Sequence, residues 1–167
     1  GDTPLLCAIL NGRAACVQAL LEAGADTAIA NKKKVTPLMA AAINGNAACM
    51  RLLLSQGAQD STTKDMRTTA LMLAAANGSE ECVRLLLQSG SAVNARTDDR
   101  MSALHFAIRH ENAACARALI EAGAEMNTRT RADYDTPLLL ATMRGYTEGV
   151  RLLLEHGANP NLADEMG

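Results

Sequence analysis

Apolar side chains in this chain gather in short clusters that recur at a fixed distance, with polar stretches of roughly 12 residues between them. Cys49, Leu52 and Leu53, and again Cys82, Leu85 and Leu86, stand at i, i+3 and i+4, which places each set on one face of a helix. Ahead of each such helix runs a second apolar stretch that opens on Thr-Pro-Leu or a variant of it. The openings are Thr3-Pro4-Leu5, Thr36-Pro37-Leu38, Thr69-Ala70-Leu71, Ser102-Ala103-Leu104 and Thr136-Pro137-Leu138, at steps of 33, 33, 33 and 34 residues. A Thr or Ser at such a place accepts hydrogen bonds from the free N–H groups of a helix's first turn, and a following Pro removes no donor that the helix needs. Asn11-Gly12, Asn44-Gly45 and Asn77-Gly78 supply the positive φ of a tight turn, so each unit is predicted to hold two helices. Gly24, Gly57, Gly90, Gly123 and Gly157 close the second helices. The polar residues that follow, such as Gln59 to Asp65, predict a hairpin-like connector that projects outward.

This pattern predicts an all-α solenoid of five helix-turn-helix repeats with hairpin-like connectors, in a single array of units at about 1–33, 34–66, 67–99, 100–133 and 134–167. The 33-residue unit, its Thr-Pro-Leu opening, its mid-unit Gly, its Leu-Leu pair and its Gly-Ala before the connector resemble the ankyrin repeat family over essentially the whole chain. Departures are local. The family's His after Thr-Pro-Leu stands here only as His105, with Leu6, Met39, Met72 and Leu139 in the other units. Pro is replaced by Ala70 and Ala103, and Glu111 stands where the turn Gly belongs. A residue with a Cβ in the left-handed region costs about 1–2 kcal/mol, and a Gly inside a helix about 0.5–1 kcal/mol relative to Ala. With Glu111 in the turn and Gly149 at the place of a repeated Cys, the fourth and fifth units are predicted to be the weakest.

Composition narrows the functional classes. The 167 residues are 49% hydrophobic yet only 2% aromatic, with Phe106, Tyr134 and Tyr146 and no Trp, so the core is expected to be aliphatic. No apolar run approaches the roughly 18 residues of a membrane span, and no membrane partner is expected. Sixteen Lys and Arg against 18 Asp and Glu leave a formal charge of −2, which argues against a nucleic-acid partner. The opening Gly1-Asp2-Thr3-Pro4 has neither an initiator Met nor a basic segment ahead of an apolar one. The array is expected to belong to a longer chain, with neighbouring repeats possible at both ends.

Several residues invite a chemical reading. Cys16, Cys49, Cys82 and Cys115 recur 33 residues apart at one place in the second helix. Stacked helices lie about 8–10 Å apart, whereas a disulfide needs Cα atoms within about 7 Å and a zinc ion needs about four converging ligands. The four thiols are therefore expected to be apolar filler on packing faces, with no metal and no cofactor, and Cys7 falls in a first helix. Reduced thiols suit the cytoplasm or the nucleus. His105, His110 and His156 show no ligand spacing, and no nucleophile, phosphate loop or carboxylate pair stands out, so no enzymatic activity is expected. The resemblance implies a structural role for His105, its ring tying the helix start to the connector. Lys32-Lys33-Lys34 reads either as a contact for an acidic partner or as a solvated connector tip. Asp98-Asp99 and Asp133-Tyr134-Asp135 lie in later connectors, so the stack is expected to run from a basic end to an acidic one.

The resemblance implies a protein–protein recognition module that uses the connectors and the exposed ends of the first helices as a concave contact surface. Mapped onto this chain, the contact positions are Lys32, Lys33, Val35, Ile43, Asn44, Asp65, Met66, Thr68, Asp98, Asp99, Met101, Arg109, His110, Asp133, Tyr134, Asp135, Met143 and Arg144. The densest patch is expected at Met101, Arg109, His110, Tyr134, Met143 and Arg144, because Tyr, Arg and adaptable Met side chains favour contact surfaces. Two alternatives stay open: a structural spacer or assembly component within a longer repeat protein, and a regulatory repeat segment of a larger enzyme.

Overall fold

The computed structural model describes residues 1–62 and 67–163, and within them the chain forms ten helices and no strand. They are α1 (Pro4–Leu10), α2 (Ala14–Glu22), α3 (Pro37–Ile43), α4 (Ala47–Ser55), α5 (Ala70–Asn77), α6 (Glu80–Gln88), α7 (Ala103–Arg109), α8 (Ala113–Glu121), α9 (Pro137–Met143) and α10 (Thr147–Glu155). The odd-numbered helices pack in one row, each on the next, and the even-numbered helices form a second row. Each odd helix also packs on the even helix that follows it, so the molecule is a two-layer stack. Among the described residues no helix is long and apolar enough to cross a membrane.

The helix starts form as the sequence predicts. Thr3, Thr36, Thr69 and Thr136 accept from the N–H groups of Leu6, Met39, Met72 and Leu139 through their Oγ1 atoms, at 3.2, 3.3, 3.3 and 3.2 Å. Asn46 and Ser79 cap α4 and α6 in the same way, accepting from Cys49 and Cys82. In the turns between paired helices, Gly45 and Gly78 take φ of 62° and 82°. A Cβ on either would lie 2.6 or 2.7 Å from the side chain of Asn77 or Asn112 in the next unit, so a side chain there would carry left-handed strain and displace that Asn. Glu111 holds the same left-handed place at φ 59° despite its side chain.

The core is aliphatic. Leu5, Leu6, Ile9, Leu38, Met39, Met50, Leu53, Leu71, Met72, Leu86, Leu104 and Ile108 are the largest fully buried side chains, and Phe106 only packs against their cluster. Three expectations need correction. Cys49, Cys82 and Cys115 are buried, but Cys16 is exposed: α2 ends its row and has α4 on one side only. Gly149 leaves no hole at the repeated Cys position, because the buried ring of Tyr146 fills it. A Cβ on Gly149 would lie 2.3 Å from that ring. Asp60, expected on an outward connector, turns in to accept from the Ala70 and Leu71 N–H groups at 2.6 and 3.3 Å, capping α5. Burial pushes its carboxyl up despite those bonds.

Candidate functional site

The connectors are tight loops fastened by their own first residues. Asn31 N–H donates to the Val35 carbonyl at 3.0 Å, while Asn31 Oδ1 accepts from Lys33 and Val35 N–H at 2.9 and 3.1 Å. Thr97 performs both tasks toward Met101, and Thr130 toward Asp135. The last loop is one residue longer, and this is where the repeat step grows from 33 to 34. Near each tip one residue is left-handed: Lys34, Arg67, Arg100 and Tyr134, at φ 61°, 51°, 61° and 57°. All four are exposed.

Between the connectors and the first helices run grooves. A cleft of about 230 Å³ is lined by Asp99, Met101, Thr130, Ala132, Asp133 and Asp135 from two connectors, together with Arg109 at the end of α7 and Leu140 and Arg144 from α9 and its cap. The Arg109 guanidinium lies 3.8 Å from the Met101 sulfur. At the other end of the stack, Lys32, Lys33 and Val35 share a cleft of about 430 Å³ with Leu10 and Ile43. These grooves bring together ten of the residues that the sequence singles out.

The other candidates fall elsewhere. Met143, 69% exposed, and His110, at the C-cap of α7, lie outside these clefts. Thr68 is half-buried. Asp98 and Tyr134 line other clefts, which contain neither Arg109 nor Arg144, so the expected patch of six is divided. Asn44 is a brace between units, its amide donating to the Ile9 and Leu10 carbonyls at 3.3 and 3.0 Å. Asp135 lines the first cleft while only 8% exposed, and its backbone closes the loop on Thr130. Asp65 and Met66 lie outside the described residues.

The expected run from a basic to an acidic end is overturned by arginines. Arg67, Arg96, Arg100 and Arg131 with Asp98 line a cleft of about 500 Å³, and Arg96, Arg100, Arg129 and Tyr134 with Glu125 line another of about 530 Å³. Arg96 pairs with Glu125. The signal in the sequence was the recurrence of Arg67 and Arg100 two residues before a helix-start Thr or Ser.

His105 is fully buried at the start of α7. Ser102 N–H donates to its Nδ1 at 3.2 Å, which makes Nδ1 an acceptor and Nε2 the protonated nitrogen, and Nε2–H donates to the Thr128 carbonyl at 3.2 Å. The ring thus ties helix to connector. Burial, opposed by hydrogen bonds to Asp135 and Thr128, holds its pKa down at about 4, so the ring is neutral. Burial likewise pushes the Cys115 thiol up to about 11 and those of Cys49 and Cys82 upward, which keeps all three protonated and unreactive. All five cysteines are free, and no group of His, Cys, Asp or Glu among the described residues is arranged to hold a metal.

No curated protein matches the chain in a sequence search. The family model for ankyrin repeats matches in three overlapping copies, over residues 5–97, 57–130 and 90–164. Together with the two-row helix stack, this shows that the chain belongs to the ankyrin repeat family, whose members are generally protein–protein interaction modules and typically non-catalytic.

Proposed function

We propose that the chain is a non-catalytic array of five repeats that binds a partner protein in the grooves between its connectors and its first helices, in the cytoplasm or the nucleus. One observation carries this reading: Met101 and Leu140 share a single cleft with Arg109, Arg144, Asp99 and Asp133. Apolar side chains among charges of both signs suit a folded or extended protein segment better than a uniform polyanion. Lys32, Lys33, Val35 and Ile43 extend the contact toward the first unit, with Met143, His110 and Thr68 at its margins, while Asp98 and Tyr134 belong to the arginine clefts. The test is capture from native lysate with three versions of the chain: the parent, Arg109→Glu with Arg144→Glu, and Arg51→Gln with Arg117→Gln on the second-helix face. Proteins held by the parent and the control but lost from the groove variant are the expected outcome. One and the same protein set on all three overturns the reading.

A second reading, a spacer within a longer repeat protein or the regulatory segment of a larger enzyme, draws on the end helix pair. Ala15 and Cys16 of α2 and Cys7 of α1 are exposed, whereas the residues equivalent to Cys16 are buried against a neighbouring helix. A version extended upstream that melts no higher than this chain counts against a neighbouring repeat on that face.

A further inference from the structure

The two arginine clefts contain no helix residue, which separates them from the grooves, and they share Arg96 and Arg100, which makes them one continuous strip along the connectors. Their acids are few. Asp98 is the only one in the first cleft, and Glu125, the only one in the second, is paired with Arg96. Arg67, Arg100, Arg129 and Arg131 form no salt bridge among the described residues, in contrast with Arg51 and Arg84 on the helix face, which pair with Glu81, Glu80 and Glu121. The chain as a whole carries −2, so the positive surplus is local. Arg67, Arg100 and Tyr134 occupy the left-handed place that each connector has near its tip, and Tyr134, 43% exposed, shares the second cleft with Arg96, Arg100 and Arg129.

We propose that this strip docks an extended acidic segment of a partner protein, its carboxylates received by the forks of Arg67, Arg100 and Arg131, with Tyr134 alongside. Guanidinium forks match carboxylates two bonds at a time, which favours Arg over Lys at such a site. Successive connectors follow the roughly 10 Å step of the stacked helices, and a peptide in the polyproline II conformation advances about 3.1 Å per residue and returns to the same face every third residue. Acids at every third position therefore meet successive connectors. Asp98 within the strip and the net negative charge of the chain disfavour a continuous polyanion such as RNA. The proposal uses clefts that share no lining residue with the grooves, so it stands or falls separately from the groove reading.

The test uses two fluorescein-labelled ten-residue peptides of one composition, with three Glu at every third position in one and adjacent in the other, titrated by anisotropy at low and physiological salt. The spaced peptide is expected to bind about fivefold tighter than its isomer and to weaken as salt rises. Arg67→Gln, Arg100→Gln and Arg131→Gln combined should weaken it tenfold or more, and Arg100→Gln alone about threefold, while Arg51→Gln with Arg117→Gln leaves it within twofold. Circular dichroism melts establish that each variant is folded. Equal affinity for the two peptides, an unchanged Kd in a folded Arg100→Gln, or tighter binding of a random single-stranded RNA or of anionic vesicles than of the spaced peptide overturns the proposal. Loss of peptide binding in the Arg109→Glu, Arg144→Glu variant with none in the arginine-strip variants moves the site to the groove.

Discussion

The packing of α7 and α8 on α5 and α6 and the packing of α9 and α10 on α7 and α8 join equivalent helices in two different ways. At the first, Gly78 turns the chain, and its missing Cβ leaves room for Asn112, whose amide donates to the Ala75 and Ala76 carbonyls at 2.8 and 3.0 Å. At the second, Glu111 makes the same turn with a Cβ in place, and Tyr146 stands where Asn112 would recur. The Tyr ring lies over Gly149, so the missing Cys side chain and the added ring compensate each other. A polar brace has been exchanged for an aromatic plug. The exchange leaves the Tyr146 hydroxyl buried without a hydrogen-bond partner among the described residues, in surroundings where burial and then Glu148 and Glu111 push its pKa up. The absence of a side chain at Gly149 and the ring of Tyr146 thus fit each other.

The largest expected effect bears on the fourth unit alone, because His105 has no counterpart elsewhere. Its folded-state pKa is about 4 against 6.5 for an unperturbed ring, so the unfolded chain takes up the proton first as the pH falls. The stability linked to the neutral ring is complete above pH 6.5 and is lost at about 1.4 kcal/mol per pH unit as the pH drops toward 4, about 3 kcal/mol in all. Urea unfolding at several pH values checks this, and His105→Met, the residue of the second and third units, should remove that part of the slope.

Next in size is Gly149→Ala, which forces a methyl group into the Tyr146 ring and should destabilise by about 2 kcal/mol. Adding Tyr146→Asn should recover most of that loss. Additive damage in the double variant would show that the two positions do not compensate. Glu111→Gly relieves the left-handed Cβ and should stabilise by about 1.5 kcal/mol, with hydrogen exchange in α7–α10 slowing toward that of α3–α6. The smallest change, Tyr146→Phe, removes the unpartnered hydroxyl and should raise stability by about 1 kcal/mol in a thermal melt.

The fold was legible because its signals are local and repeat. Four Thr caps, the Pro that follows three of them and the turn glycines each act within a few residues of chain, and the structure realises them at nearly identical hydrogen-bond lengths. The candidate site was only half legible. Met101, Arg109 and Arg144 belong to one cleft, but the same register also gave Asn44, whose amide braces two units, and Asp135, which lines that cleft while almost wholly buried. Register places a residue on an element; it does not say whether a neighbouring unit has already used its polar atoms.

The sequence by itself determined the helices, their pairing and the place of the connectors, because capping, turn geometry and the 33-residue step operate over short stretches of chain. Only the tertiary structure decided what happens between units. Cys16 is exposed while its three equivalents are buried, because burial of a helix face requires a second helix against it. Tyr146 fills the space of a side chain three positions away, and Arg67, Arg96, Arg100 and Arg131, spread over 65 residues of sequence, line one cleft. Charge adds up through space, not along the chain, so residues that look scattered among acids in one dimension form a basic strip once the connectors are stacked side by side.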